Sequence, residues 1–295
     1  MRVSTGIAFL AAAVACFAAM DTTTKAVSLT VPALMAVWSR NLFQVAAVAA
    51  TLGPRRGRDL FKTTHPWLHA ARGALLLLCS LSAFYAVRVM PVGEFTAIVL
   101  ITPLVLTLLA SRGERVPPLR WLLVFGGFAG AMMVIRPDSD QFNGAALLPL
   151  AIVAANTGYQ WVTSRLAKME DAGTMQFYTG VVGALLSGVA LPWAWQTLSP
   201  AMWASLVLLG VLGTLGHFLL IHAYVRAPVA VLTPYLYLQI AFATLGGWLV
   251  FSYVPDAWST AGILLIAVCG AGGTWLSQRE AQMRKWGERR TRQEA

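Results

Sequence analysis

Polar and ionisable side chains lie at helical spacing inside long apolar runs of this sequence. Asn156 and Gln160 are four residues apart in one run, and Tyr235 and Gln239 have the same spacing in another, so each pair shares one face of a helix. Glu94 lies about one turn inside a third run. A charged group in a membrane interior costs about 3 kcal/mol, so it needs a partner or a task. Such side chains can bind a polar solute or carry a proton, and the pattern indicates a solute site within a membrane.

The candidate substrate-binding residues are polar or aromatic side chains that the sequence predicts within the membrane. They are Trp38, Tyr85, Glu94, Thr102, Asn156, Tyr159, Gln160, His217, Tyr235 and Gln239. Trp38 could stack on a planar substrate. Asp21 and Arg40 are predicted at similar depth on adjacent antiparallel helices, where they could form a structural ion pair or a gate.

Structural roles compete with these functional ones. Glu94 follows Pro91 at the start of a helix, where the helix dipole favours an acidic residue whatever its function. Asn156 and Gln160 could hold two helices together through hydrogen bonds. His217 is a lone polar residue of a kind that is usually packed, although inside a bilayer it needs a partner. The residues alone leave both roles open.

The composition predicts a membrane protein. The chain is 58% hydrophobic and 12% charged, with a mean hydropathy of +0.66, whereas a soluble domain is about a quarter charged. The net charge is +10, but the basic residues are spread over short loops and the C-terminus, so no nucleic-acid binding is expected. Cys16, Cys79 and Cys269 lie apart in apolar runs without metal-ligand spacing, so we expect no disulfide, metal or cofactor.

Ten apolar segments can be identified, separated by short connections that contain Pro, Gly and charged residues. They cover approximately 3–24, 33–52, 67–88, 92–110, 119–136, 144–165, 173–194, 201–224, 229–250 and 257–277. The first is interpreted as an uncleaved helix rather than a signal peptide. The predicted fold is an all-α polytopic membrane protein with ten transmembrane helices, because helices satisfy their own backbone hydrogen bonds in lipid.

Charge and repetition predict how these helices are arranged. Most loop Lys and Arg residues fall on the same side as the N-terminus, which places both termini in the cytoplasm. Aligning Pro91 with Pro228 also brings Trp121 onto Trp258. Five helices per half is an odd number, so the halves form a 5+5 inverted-topology repeat. The predicted units are 1–139, 140–278 and a charged cytoplasmic tail, 279–295.

Catalytic motifs are missing from the sequence. It contains neither GxxxxGK[ST] nor HExxH. His217 and His222 are five residues apart and do not share a helix face. An intramembrane enzyme is therefore the weaker alternative, and a transporter with a site between two halves is the stronger one.

Several segments resemble a known family: MDTTTKAVS, VWSRNLFQ, PVGEFTAIVLITPLV, GERVPPLRW and APVAVLTPYLYLQIAFATLGGWLVF. Together they resemble the drug/metabolite transporter superfamily, EamA-type. The segments MDTTTK, FYTGVVGALL and LGHFLLIHAY further resemble its bacterial S-adenosylmethionine uptake subgroup. The resemblance implies a multi-pass protein of the bacterial inner membrane, monomer or homodimer, with a central cavity between the halves. It implies alternating-access transport of a small molecule. The leading hypothesis is uptake of S-adenosylmethionine in exchange for S-adenosylhomocysteine. The alternative is export of amino acids or related metabolites. A cationic sulfonium would suit Glu94 and aromatic faces.

Overall fold

The computed structural model describes residues 2–105, 117–135, 144–166, 169–226 and 235–294, and all regular secondary structure in these ranges is helical. Ten α-helices lie in the described residues: α1 (Arg2–Ser28), α2 (Ala33–Arg56), α3 (Pro66–Val89), α4 (Val92–Val99), α5 (Pro118–Ile135), α6 (Leu148–Leu166), α7 (Ala172–Ala194), α8 (Pro200–Arg226), α9 (Leu238–Phe251) and α10 (Ala257–Glu294). Short 3-10 helices cover Gly57–Phe61 and Gly144–Leu147. The prediction of an all-α chain with ten helical segments is confirmed.

The helices are apolar on the outside of the bundle as well as inside it. Within the described residues, five helical stretches are long and apolar enough to cross a membrane: Ser4–Ser28, Ala33–Phe61, Pro66–Val89, Ala172–Ala194 and Pro200–Leu220. The same residues contain four shorter apolar helices. Large side chains such as Val189 and Trp193 are 72% and 83% exposed. An exterior of this kind suits contact with lipid rather than water.

The fourth predicted span is interrupted just before its Thr-Pro pair. The regular part of α4 ends at Val99, and Leu100 and Ile101 form a turn before the chain becomes helical again. Pro103 has no N–H to donate to the carbonyl of Val99, four residues earlier. The Thr102 hydroxyl donates to that oxygen instead, at 2.7 Å. Residues 106–116, which the prediction assigned partly to the same span, lie outside the described residues.

Helices from the first half of the chain pack mainly against helices from the second half. Helix α1 packs against α8 and α9, and α3 packs against α6 and α7. Helix α2 packs against α7 and α8, and α4 against α9 and α6. Helices α5 and α10 form a separate close pair. Each of the ten helices therefore contacts at least one helix from the other half of the chain.

Gly130 and Gly262 allow α5 and α10 to approach closely. A Cβ atom placed on Gly130 would lie 2.8 Å from the Gly262 carbonyl oxygen, and a Cβ on Gly262 would lie 2.7 Å from the Gly130 oxygen. Only glycine permits this backbone contact. Strings of small residues such as GGFAGAMM (126–133) predict close helix packing, and the contact of Gly130 with Gly262 agrees with that prediction.

The helix connections lie at two opposite ends of the bundle, the Arg56 end and the Lys25 end. The Arg56 end contains the α2–α3 and α6–α7 connections, and the Lys25 end contains the α1–α2, α3–α4 and α9–α10 connections. Helix α10 continues to Glu294, so the predicted charged tail prolongs the last helix. The breaks at Pro91 and Pro228 in the sequence predict two tight helix hairpins, of which the one at Pro228 lies outside the described residues.

Candidate functional site

Six polar side chains from six helices converge in the interior of the bundle. This central polar cluster consists of Asp21 (α1), Arg40 (α2), Arg72 (α3), Tyr159 (α6), His217 (α8) and Gln239 (α9). Arg40 interacts electrostatically with Asp21 and Tyr159, and His217 interacts with both arginines. Tyr159 and Gln239 complete the cluster by hydrogen bonding to Arg72 and Asp21 respectively.

Asp21 and Arg40 are close but do not form the direct ion pair considered from the sequence. Gln239 Nε2 donates to Asp21 Oδ2 at 3.3 Å, and Arg40 donates through one terminal nitrogen to Ser80 Oγ. No Arg40 nitrogen lies within 4.0 Å of an Asp21 oxygen. Each charge is held by a neutral side chain, and both are only partly buried.

Arg72 is the most deeply buried charge of the cluster. A basic side chain inside a predicted span is expected to extend toward the membrane surface. The structure shows Arg72 only 3% exposed, so this sequence-based prediction is wrong. Its guanidinium is held by four acceptors on α6 and α7: Thr163 Oγ1 at 2.9 Å, Tyr159 Oη at 2.7 Å, the Met175 carbonyl at 2.9 Å and Thr179 Oγ1. The guanidinium also lies over the Tyr159 ring, 4.7 Å from its centroid. Arg72 therefore joins α3 to the second half of the chain.

The polar face predicted on α6 is only partly directed at the cluster. Tyr159 contacts Arg72, whereas Asn156 Nδ2 donates to Thr102 Oγ1 at 3.5 Å. Thr102 is 1% exposed, and its hydroxyl is already used by Val99, so it bridges α4 and α6. Gln160 makes no hydrogen bond with the part of the chain that the structure describes. Its amide is therefore the unused polar group of this face.

His217 lies beside the cluster against an aromatic neighbour. Its ring contacts Phe17 edge-on, with the centroids 5.0 Å apart. The remaining three aromatic candidates are not joined to the cluster by a described contact. Trp38 packs against Trp195, Tyr85 is 49% exposed, and Tyr235 is also exposed.

Glu94 lies near the Lys25 end rather than in the central cluster. Its side chain is buried, and Tyr253 donates to Glu94 Oε1 at 2.6 Å. Lys25 interacts electrostatically with Glu94 and donates to the carbonyl oxygens of Val87 and Met90 at 2.8 and 2.7 Å. A cavity of about 280 Å³ lies here, lined by Lys25, Arg88, Val89, Met90, Pro91, Val92, Gly247, Phe251 and Tyr253.

Charged and hydroxyl side chains join the two connections at the Arg56 end. Arg56 makes a bidentate ion pair with Asp171, which also accepts hydrogen bonds from Gly173 N and Thr174 N at the start of α7. Burial would raise the pKa of the Asp171 carboxyl, but these donors outweigh it, so the pKa is lowered. The same balance holds for Glu170. Burial opposes ionisation, yet Thr63, Thr64 and His65 donate to its carboxylate and keep the pKa below its ordinary value.

Sequence reasoning missed Lys25, Ser80, Arg72 and Tyr253 as members of these sites. For Ser80 and Arg72 the available signal was a hydroxyl or ionisable group inside a predicted span, whereas Lys25 and Tyr253 lie just outside the predicted spans. In each case only the fold reveals the hydrogen-bond partner. The three cysteines are free. Among the described residues, no three His, Cys, Asp or Glu side chains are close enough to hold a metal ion.

The chain is similar to known transporters along much of its length. Residues 4–136 match the family model described as the EamA-like transporter family. A riboflavin transporter of Rhizobium johnstonii is 30% identical over 215 residues, which cover 72% of this chain and 71% of that protein. An S-adenosylmethionine uptake transporter of Rickettsia bellii is 27% identical over 212 residues, with coverages of 71% and 73%.

Two further comparisons cover more of the chain. A pseudopaline exporter of Pseudomonas aeruginosa is 28% identical over 261 residues, or 85% of this chain and 89% of that protein. A protein crystal structure with 19% identity matches with a TM-score of 0.63 over 94% of this chain and 98% of its own. This last likeness concerns the fold alone.

Proposed function

Because the chain belongs to the EamA-like transporter family, we propose that it is a secondary active transporter that moves a small metabolite across the bacterial inner membrane by alternating access. The family resemblance found in the sequence is confirmed, and the chain is an integral membrane protein. The central polar cluster carries the proposal, because six helices bring ionisable and amide groups together inside a largely apolar bundle. We assign no catalytic role, since transport leaves the substrate chemically unchanged.

The proposed architecture is two five-helix halves, 1–139 and 140–278, in inverted orientation with both termini cytoplasmic. Helix packing supports it because the contacts occur in equivalent pairs. The α1–α8 contact corresponds to α6–α3, and the α1–α9 contact corresponds to α6–α4. The α2–α7, α4–α9 and α5–α10 contacts each join a helix to its own counterpart. This pattern is expected of two halves related by a two-fold axis in the membrane plane.

Alternating access requires that contacts between the halves break at one end at a time. At the Arg56 end, Arg56 on α2 pairs with Asp171 before α7. At the Lys25 end, Tyr253 after α9 donates to Glu94 on α4. Both contacts join the first half to the second. We propose that they open in turn as the halves rock about the central polar cluster.

S-adenosylmethionine, exchanged for S-adenosylhomocysteine, is the leading substrate. The relatives named for S-adenosylmethionine uptake support it. The test is uptake of labelled S-adenosylmethionine by proteoliposomes containing the purified chain, with and without internal S-adenosylhomocysteine. Faster uptake with the internal ligand is expected, with protein-free liposomes as the control. Failure of uptake in both conditions would exclude this substrate, and riboflavin in the same assay addresses the other group of relatives.

Export of amino acids or related metabolites is the second candidate. The pseudopaline exporter, which matches 85% of this chain, supports it. The same proteoliposomes loaded with labelled amino acids distinguish the two directions. Efflux that depends on the protein, without uptake of S-adenosylmethionine, would favour the exporter.

A further inference from the structure

Two opposite charges of the central polar cluster are held apart, and each keeps unused hydrogen-bonding capacity. Arg40 uses one terminal nitrogen on Ser80, and its other N–H groups have no partner among the described residues. Asp21 Oδ2 accepts a long hydrogen bond from Gln239, and no described residue donates to Oδ1. Both side chains are partly exposed. The two groups are therefore a donor and an acceptor of opposite charge whose nitrogen and oxygen atoms lie more than 4.0 Å apart.

Arg40 lies beside three other helices of the bundle. A Cβ atom placed on Gly213 of α8 would lie 3.8 Å from Arg40 Cδ and 3.3 Å from Met20 Sδ on α1. The guanidinium reaches Ser80 on α3. The partly exposed side chain therefore lies next to α1, α3 and α8, close to Asp21.

Closing the gap with a ligand would satisfy both charges only if the ligand carries both signs. An anion alone would pair with Arg40 and leave Asp21 without a cation, whereas a cation alone would do the reverse. Arg72 does not compete for the ligand, because its guanidinium is bound by four acceptors of α6 and α7. A zwitterion leaves the net charge of the cluster unchanged and gives each of the two charges a partner.

We propose that Arg40 and Asp21 bind the α-carboxylate and α-ammonium groups of an amino-acid substrate, with Gln239 holding Asp21 in position. The inference rests on the proposed transport function and narrows its substrate to molecules with an α-amino-acid end. S-adenosylmethionine has such an end and riboflavin does not. The rest of the substrate would extend past His217 and Phe17, whose rings adjoin the cluster.

The test compares complete ligands with analogues that lack one charged group, using thermal stability of the purified full-length chain to measure affinity. S-adenosylmethionine is paired with decarboxylated S-adenosylmethionine. L-tryptophan is paired with tryptamine, which lacks the carboxylate, and with indole-3-propionate, which lacks the ammonium. In the wild-type chain, removal of either group should weaken binding of at least one complete ligand about tenfold or more, because charge-assisted hydrogen bonds are lost.

Variants identify which side chain recognises which group. The Arg40→Gln variant should bind complete ligands and ligands without the carboxylate with affinities that differ by less than about twofold. Removal of the ammonium group from the ligand should weaken binding to this variant as much as it does in the wild type. Asp21→Asn should show the reverse pattern. Arg40→Lys retains the charge in case Arg40→Gln fails to fold. Arg165→Gln, which removes an exposed arginine of α6 beside Trp161, is the matched control and should preserve both losses.

The outcomes separate this inference from the transport function. The predicted pattern of losses supports it. Equal affinity for complete and truncated ligands, binding of riboflavin alone, or binding of none of these probes overturns it. Uptake or efflux in proteoliposomes is measured independently. Transport of riboflavin without binding of any amino acid would therefore refute the inference and leave the transport function intact.

Discussion

Replacement of Gly130 by alanine should destabilise the α5–α10 contact by steric overlap. The new methyl group would lie 2.8 Å from the Gly262 carbonyl oxygen and 2.9 Å from Ile266 Cγ1. The oxygen belongs to helix backbone and cannot rotate away. Relief therefore requires that the two helix axes separate locally by about half an ångström, with loss of dispersion contacts along the pair.

The expected magnitude follows from two opposing effects. Alanine stabilises a helix interior by about 1 kcal/mol relative to glycine. Insertion of a methyl group into a tightly packed contact costs about 1–3 kcal/mol. Gly247 in α9 provides the matched control, because no atom lies within 4 Å of a Cβ placed there. Gly130→Ala should therefore be about 1–3 kcal/mol less stable than Gly247→Ala.

Apparent melting temperatures in one detergent at one protein concentration provide the measurement. Gly130→Ala should melt about 2–8 °C below Gly247→Ala. Gly262→Ala introduces a methyl group on the other side of the same contact. In a chain that already carries Gly130→Ala, it should lower the melting temperature by less than it does alone, because the helices are already separated. A Gly130→Ala protein as stable as Gly247→Ala would refute the close backbone contact.

Three further predictions concern the two ends of the bundle. Asp171→Asn keeps the helix N-cap but loses the half-exposed ion pair to Arg56, so it should lower the free energy of unfolding by less than about 1 kcal/mol. Asp171→Ala also loses the cap and should lower it by about 1 kcal/mol more. Equal melting temperatures of the two variants would contradict the role of Asp171 as the cap. The pKa of Glu170 is lower in the folded than in the unfolded chain, so its carboxylate stabilises the fold at neutral pH and loses that effect as the pH falls through about 4 and below. Glu170→Gln should therefore make the melting temperature less sensitive to acid. A variant with the same pH profile as the wild type would contradict this role of Glu170. Tyr253→Phe removes the hydroxyl that donates to buried Glu94 and should lower the free energy of unfolding by about 1–3 kcal/mol. In a chain that already carries Glu94→Gln, the same substitution should lower it by less if the hydrogen bond is responsible.

The helices were predictable because each is a local pattern of apolar residues long enough to span lipid. Their ends were less so. The α4 segment was predicted as one span, but its regular helix stops at Val99, where Pro103 leaves a carbonyl without its usual donor. The proline was visible in the sequence. That Thr102 would supply the replacement donor depended on its rotamer, which the sequence does not encode directly.

The candidate site was predicted in part. The position of a residue along a span, and so its depth in the membrane, follows from the sequence, but which neighbouring helix its side chain faces does not. Asp21, Tyr159 and Gln239 were identified as interior polar groups and lie together. Arg72 was expected at the surface because its acceptors, including Thr163 and Thr179, are ordinary helix residues far away in the chain. Only the packing of α3 against α6 and α7 brings them to the guanidinium.

The Lys25 contact has a consequence for how this protein can vary. Its acceptors are the main-chain oxygens of Val87 and Met90, which every amino acid provides. Substitutions at those two positions would leave the contact chemically intact, so no compensating change would accompany them in related sequences. A search for co-varying positions would therefore overlook this tie between α1 and the end of α3. Its entire sequence requirement falls on one lysine.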